Sequence, residues 1–73
     1  MNTVYEVTTI GVNQVHEENY RKALSRFLDI VSNTGYTCVL ARLKYNEDDT
    51  IESTDLRIGG TDKDGTKWEC DLS

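Results

Sequence analysis

The stretch TDKDGTKWECD, which spans residues 61–71, carries the pattern D-x-D-G that occurs in calcium-binding loops of the EF-hand type. If Gly65 takes the sixth position of such a loop, Gly60 takes the first, where an oxygen-bearing side chain is needed. Asp71 takes the twelfth position, where it is shorter than the usual bidentate glutamate. Alternating residues follow the glycine, and Asp-Gly is a frequent pair in hairpin turns. The stretch therefore predicts a turn between two strands, and no metal site.

Other residues capable of chemistry lack the sequence partners that a catalytic or metal site requires. His16 is the only histidine, and the chain has no nucleophile-elbow, P-loop or dinucleotide-binding motif. Cys38 and Cys70 lack the neighbouring ligands that are typical of a zinc site. We therefore expect a protein that is not an enzyme and that needs no cofactor.

The length and composition indicate one small globular domain that spans residues 1–73. Hydrophobic residues make up 37% of the chain and charged residues 29%, which favours a folded domain over a disordered chain. No apolar run approaches the roughly 20 residues of a membrane span, and the first residues do not resemble a signal peptide. We expect a cytoplasmic protein. We also expect Cys38 and Cys70 to be free and mostly buried, on strands that another strand separates.

The net charge of −5 is concentrated in the C-terminal part of the chain. Residues 44–73 hold nine acidic and four basic residues, so they account for the whole excess. An acidic surface repels phosphates, which argues against direct binding to nucleic acid, but it suits a partner protein with a basic surface. The predicted partner-binding residues are Glu47, Asp48, Asp49, Glu52, Asp55, Glu69 and Asp71. The alternative is that these acids only keep the sheet soluble and pair with basic residues across strands.

The pattern of apolar residues predicts the element order β-α-β-β-β. The predicted elements are a strand over Thr3–Val12, a helix over Gln14–Asn33, and strands over Tyr36–Asn46, Thr50–Ile58 and Lys67–Leu72. Asn13 is the predicted N-cap of the helix, and Gly35 is its predicted left-handed C-terminal residue. The apolar stripe of the helix is predicted to consist of Tyr20, Leu24, Phe27, Leu28 and Val31. We expect an α+β fold in which this helix packs on one face of a four-stranded, mostly antiparallel sheet.

Alternation along the strands predicts which side chains face the helix. The predicted inward residues are Val39, Ala41, Leu43, Tyr45, Thr54, Leu56, Ile58, Trp68, Cys70 and Leu72. Ile51 is out of step with Leu56, which indicates either a β-bulge or an exposed Ile51. The opposite face of the sheet is then in contact with water or used for binding.

The ending DKDGTKWECD resembles the D-G-x-x-W hairpin ending of a family of anti-CRISPR proteins, which are small phage-encoded inhibitors. The resemblance covers about ten residues of a common hairpin type. It implies a non-catalytic inhibitor that binds a host or defence complex that handles nucleic acid. The acids Glu47, Asp48, Asp49, Glu52 and Asp55 would then present carboxylates where that complex expects phosphates.

Two further hypotheses come from other parts of the chain. The first is a small accessory module that self-associates through its sheet, as a homodimer that pairs exposed edge strands. The second is a weak nucleic-acid binder that uses the basic residues Arg21, Lys22 and Arg26 of the helix. Salt separates these hypotheses, because pairing between sheet edges tolerates salt whereas binding to phosphates does not.

Overall fold

The computed structural model describes residues 2–72, which form one helix and a five-stranded antiparallel sheet. The elements are β1 (Asn2–Thr9), β2 (Asn13–Glu17), α1 (Tyr20–Thr34), β3 (Cys38–Tyr45), β4 (Ile51–Thr61) and β5 (Lys67–Asp71). The strands lie in the order β2-β1-β3-β4-β5, and every neighbouring pair is antiparallel. The predicted α+β class with one helix is confirmed, but the predicted count of four strands is wrong by one. Within this part of the chain, no helix is long and apolar enough to cross a membrane.

The additional strand is β2, which occupies residues predicted to start the helix. Gly11, with φ of 78°, forms part of a tight turn, and β2 folds back along β1 so that Val15 lies opposite Val7. Gln14 and Glu17 are good helix formers, but pairing with β1 supplies partners for the backbone groups of this segment and overrides their local preference. The helix therefore starts six residues later than predicted, and its N-cap is Asn19 instead of Asn13.

The helix has a capping residue of a commonly preferred type at each end. The side chain of Asn19 accepts hydrogen bonds from the backbone N–H groups of Arg21 and Lys22, at 2.8 and 3.3 Å. Gly35 ends the helix with φ of 77°, as predicted. The buried stripe consists of Ala23, Phe27 and Val31, whereas the predicted members Tyr20 and Leu28 are each 38% exposed.

The core lies between the helix and one face of the sheet, which we call the helix face. Phe27 and Val31 of α1 pack there against Val7 of β1 and against Cys38 and Leu40 of β3. Paired residues in an antiparallel sheet share a face, and neighbouring residues alternate between faces. The remaining alternate residues of each strand therefore lie on the other side, which we call the open face.

The open face carries most of the residues that were predicted to pack under the helix. Val39, Ala41, Leu43 and Tyr45 lie there, as do Ile58, Trp68 and Cys70. Leu72, just after β5, is 48% exposed. The prediction for them is wrong because residues 38–41 are apolar on both faces of β3, so alternation alone does not indicate which set meets the helix.

A β-bulge changes the register of β4 near its middle. Leu40 lies opposite Arg57 and Ala41 opposite Asp55, so Leu56 is the extra residue of β4. Leu56 is buried, and Ile51 is 56% exposed. The mismatch between these two residues predicted either a β-bulge or an exposed Ile51, and the structure has both.

The β4–β5 connection is the predicted hairpin turn. Gly65 has φ of 87°, and the Asp62 carboxylate accepts hydrogen bonds from the backbone N–H groups of Asp64 and Thr66. These bonds use Asp62 to stabilise the turn itself. The two cysteines are free and lie on β3 and β5 with β4 between them, as predicted. Only Cys38 is buried, so the expectation of a buried Cys70 is wrong.

Candidate protein-binding surface

Three strands continue past the last β1–β2 pair and form an extension that we call the arm. It consists of Asn2–Val4, residues 43–45 and residues 51–53, together with the β3–β4 turn at residues 46–50. The pairing of β2 with β1 reaches only to Tyr5, so the arm has no fourth strand on that side. The described chain is accordingly elongated, with principal extents of 46 × 21 × 18 Å.

The tip of the arm presents three consecutive carboxylates, from Glu47, Asp48 and Asp49. Asp49 adopts φ of 67°, a conformation that Asp tolerates in turns. The Asp48 carboxylate accepts hydrogen bonds from the hydroxyl and backbone N–H of Thr50, at 2.6 and 3.1 Å. These bonds, the hydroxyl bond first, lower the pKa of Asp48 below its ordinary value. The Asp48 carboxylate therefore stays negatively charged across the physiological pH range.

Two more predicted acids follow on β4, on opposite faces of the sheet. Glu52 lies opposite Lys44, on the side that continues the helix face. Asp55 lies opposite Ala41 and faces the open side. Neither carboxylate forms an ion pair with any residue from 2 to 72, and the same holds for the three acids of the tip.

The last two predicted acids, Glu69 and Asp71, belong to a different part of the surface. Both lie beside Arg57 on the helix face. Arg57 forms an ion pair with Glu69, and its Nη2 atom lies 4.0 Å from Oδ2 of Asp71. A hydrogen bond with Tyr20 is the largest cause of a raised pKa of Arg57, and the two acids add to it. For these acids the structure shows the cross-strand pairing that was the alternative to partner binding.

The open face contributes an apolar surface next to the acidic arm. Tyr45 lies opposite Ile51, and Val39 lies opposite Ile58. Trp68 is 38% exposed on the same face but lies opposite Gly60, toward the end of the sheet away from the arm. Exposed aromatic and aliphatic side chains with charged residues at their margin are typical of protein–protein interfaces.

The basic residues of the helix lie in a groove that also contains acids. Arg21, Lys22 and Arg26 line this groove with Glu17 and Asp29. The Nη2 atom of Arg26 lies 2.9 Å from the Glu17 carboxylate, so one of the three cations is already neutralised. Such mixing weakens the attraction of this surface for phosphates.

His16 and the other metal-ligating residue types do not assemble into a site. His16 Nε2 lies 2.9 Å from the Glu6 carboxylate on the open face. Among the described residues, no three histidine, cysteine or acidic side chains come together as metal ligands would. The described surface presents charge and apolar side chains.

The sequence predicted the acids of the arm but not their apolar neighbours on the open face. The available signal was the continuous apolar run at residues 38–41. A strand with one buried face alternates, whereas a continuous run indicates apolar surface on both faces.

Comparisons with protein-family models, with curated proteins and with solved structures find no match to the chain.

Proposed function

We propose that the chain is a non-catalytic binding protein that inhibits a host or defence complex by docking its acidic arm on a basic surface of that complex. The observation that carries the proposal is the placement of five acids, whose carboxylates have no cationic partner within residues 2–72. They are Glu47, Asp48, Asp49 and Glu52 of the arm and Asp55, which lies two residues beyond it on β4. Carboxylates that the chain does not neutralise are available to the cations of a partner.

The apolar residues beside the arm favour a protein partner over a purely electrostatic contact. Ile51 and Tyr45 are neighbours on the open face, directly next to the acidic tip. An apolar centre contributes affinity by burial, while a charged rim contributes the rate of encounter and the choice of partner. A basic surface that normally holds nucleic acid would meet both features, which agrees with the resemblance of the final hairpin to an anti-CRISPR ending.

The test is capture of the partner from bacterial lysate by the immobilised protein, with nuclease present. We expect one dominant captured protein, identified by mass spectrometry. The double variant Glu47→Lys/Glu52→Lys should lose this protein, because it reverses two charges of the acidic surface. The fold of the arm should be unaffected, since its hydrogen bonds are formed by Asn46, Asp48 and Thr50. Heparin should displace the captured protein, because it competes for surfaces that bind nucleic acid.

The matched control is Asp29→Lys/Asp64→Lys, which changes the net charge equally on the helix and in the β4–β5 turn, outside the arm. The control should retain the partner. Equal losses in both variants would show that only the net charge matters, and the arm would not be the binding site. Capture that nuclease abolishes would favour the weak nucleic-acid binder.

A second candidate function is self-association through the sheet, which the exposed edges and the apolar open face favour. β2 and β5 each have a neighbouring strand on one side only. Unpaired edges with adjoining apolar surface readily accept another strand. Self-association would leave the arm acids as a solubilising surface.

A further inference from the structure

The backbone of β5 has one row of hydrogen-bonding groups directed away from the sheet. Leu72 N–H donates to the Leu56 carbonyl at 2.9 Å, and Asp62 N–H donates to the Thr66 carbonyl at 2.9 Å. Residues 66 and 72 therefore direct their backbone groups toward β4. Because this direction alternates along a strand, residues 68 and 70 do the same, opposite residues 60 and 58.

The N–H and C=O groups of Lys67, Glu69 and Asp71 consequently point outward. All five residues of β5 are exposed. The strand contains no proline, since the chain has none, and it has no bulge in its register with β4. It therefore lacks proline and a bulge, two devices that commonly block the edges of natural sheets. Its charged side chains are a third such device, but they have opposite signs at the two ends of the strand.

We propose that β5 pairs with β5 of a second copy of this chain, antiparallel and centred on Glu69. The proposal deepens the second candidate function and does not depend on the basic partner. Around this centre, Lys67 lies opposite the second copy's Asp71, and Trp68 lies opposite its Cys70. Each residue whose backbone groups point outward then lies opposite another such residue of the second copy. These three pairs give about six backbone hydrogen bonds.

The side chains of β5 suit this register on both faces of the sheet. The Lys67 ammonium donates a hydrogen bond to the Ser32 carbonyl within its own copy. The helix face would also place this ammonium beside a carboxylate of the other copy, twice per dimer. The open face would place the Trp68 ring beside the Cys70 side chain. The two Glu69 carboxylates meet at the centre, where Arg57 of each copy already forms an ion pair with Glu69 and offsets their repulsion.

Other symmetric registers of β5 satisfy fewer of these conditions. A register centred on Cys70 would place Glu69 opposite Asp71, which is repulsive. A register centred on Trp68 would pair Lys67 with Glu69 but would leave Asp71 opposite the turn residue Gly65. The register centred on Glu69 alone overlaps all five residues of the strand.

The opposite edge, β2, is the weaker candidate for the same pairing. Ile10 N–H donates to the Thr37 carbonyl at 2.9 Å, so even-numbered residues of β1 face β3 and odd-numbered residues face β2. Val15 lies opposite Val7, so Val15 faces inward, and only Gln14 and His16 of β2 direct backbone groups outward. β5 thus offers three outward residues and opposite charges, whereas β2 offers two polar residues.

The test is the molar mass in solution, measured by sedimentation equilibrium from about 10 μM to about 1 mM, since one strand pair buries less area than stable dimers need. We expect the mass to rise from 8.3 kDa toward twice that value. Glu69→Pro should remain monomeric, because it removes an outward N–H that the monomer does not use. Glu69→Ala is the control, since it removes the same carboxylate but keeps the N–H group. Far-UV circular dichroism at low concentration establishes that both variants are folded.

Charge exchange tests the register itself. Lys67→Glu alone and Asp71→Lys alone should each weaken the dimer about tenfold, because each places like charges opposite one another twice. The double variant Lys67→Glu/Asp71→Lys should restore dimerisation. A parent protein that stays at 8.3 kDa up to about 1 mM would overturn the proposal. Dimerisation of Glu69→Pro to the same extent as Glu69→Ala would also overturn it. The same holds if the double variant Lys67→Glu/Asp71→Lys does not regain dimerisation. None of these outcomes depends on the lysate capture, so this dimer and the basic partner are tested separately.

Discussion

Gly59→Ala tests which face of the sheet the helix covers. A Cβ atom at Gly59 would lie 2.8 Å from Cγ2 of Val31 and 3.2 Å from Cζ of Phe27. It would also lie 3.1 Å from the backbone carbonyl oxygen of Trp68, which β5 holds in place. Carbon atoms pack at about 3.5–4.0 Å, so the new methyl overlaps side chains of a close-packed core.

The expected change in the free energy of unfolding follows from two opposing effects. Overpacking a core by a methyl group costs about 1–3 kcal/mol. Replacing glycine by alanine also restricts the unfolded chain, which offsets about 0.4–1 kcal/mol of that cost. We expect a net loss of about 1–2 kcal/mol, which lowers the Tm of a domain of this size by about 5–15 °C.

Gly60→Ala is the matched control, because Gly60 faces the open side. Its new Cβ would lie 3.1 Å from Oγ1 of Thr37 and 3.3 Å from Cζ2 of Trp68, and the Trp68 ring is partly exposed and can shift. We expect a change within about 0.5 kcal/mol. Thermal and urea unfolding, followed by far-UV circular dichroism, compare both variants with the parent. A destabilised Gly60→Ala beside an unaffected Gly59→Ala would place the helix on the opposite face of the sheet and contradict the core described above.

Two further predictions concern side chains of the open face and the core. Trp68→Ala should cost about 1–2 kcal/mol in urea unfolding, well below the roughly 3–5 kcal/mol of a fully buried tryptophan, because the ring is 38% exposed; a loss in the larger range would mean that Trp68 is a core residue. Cys70 should react rapidly with a thiol reagent in the folded protein, whereas Cys38 should react only after unfolding, since burial both shields it and raises its pKa. Mass spectrometry of the labelled peptides distinguishes the two, and rapid labelling of Cys38 would contradict its burial.

Local sequence signals predicted the elements that depend on neighbouring residues. The left-handed Gly35 and the turn before Gly65 are examples, since each needs a conformation that glycine adopts without strain. The acids of the arm were also predicted, because charge is a property of composition. The sequence left open whether Glu69 and Asp71 bind a partner or pair with basic residues across strands. The same residue types serve both roles, and only the position of Arg57 between them distinguishes the two.

The tertiary structure decided which surface remained available for binding. Residues 13–17 became a strand because β1 offered backbone partners, which local propensity does not report. The helix selected Leu40 over Val39 because a close-packed core accepts one register, and shifting by one residue exchanges the two faces. Composition and local pattern thus predict an acidic chain with one helix on an antiparallel sheet. Packing alone decided that Trp68 and Cys70 lie on the open face and that β5 is an edge.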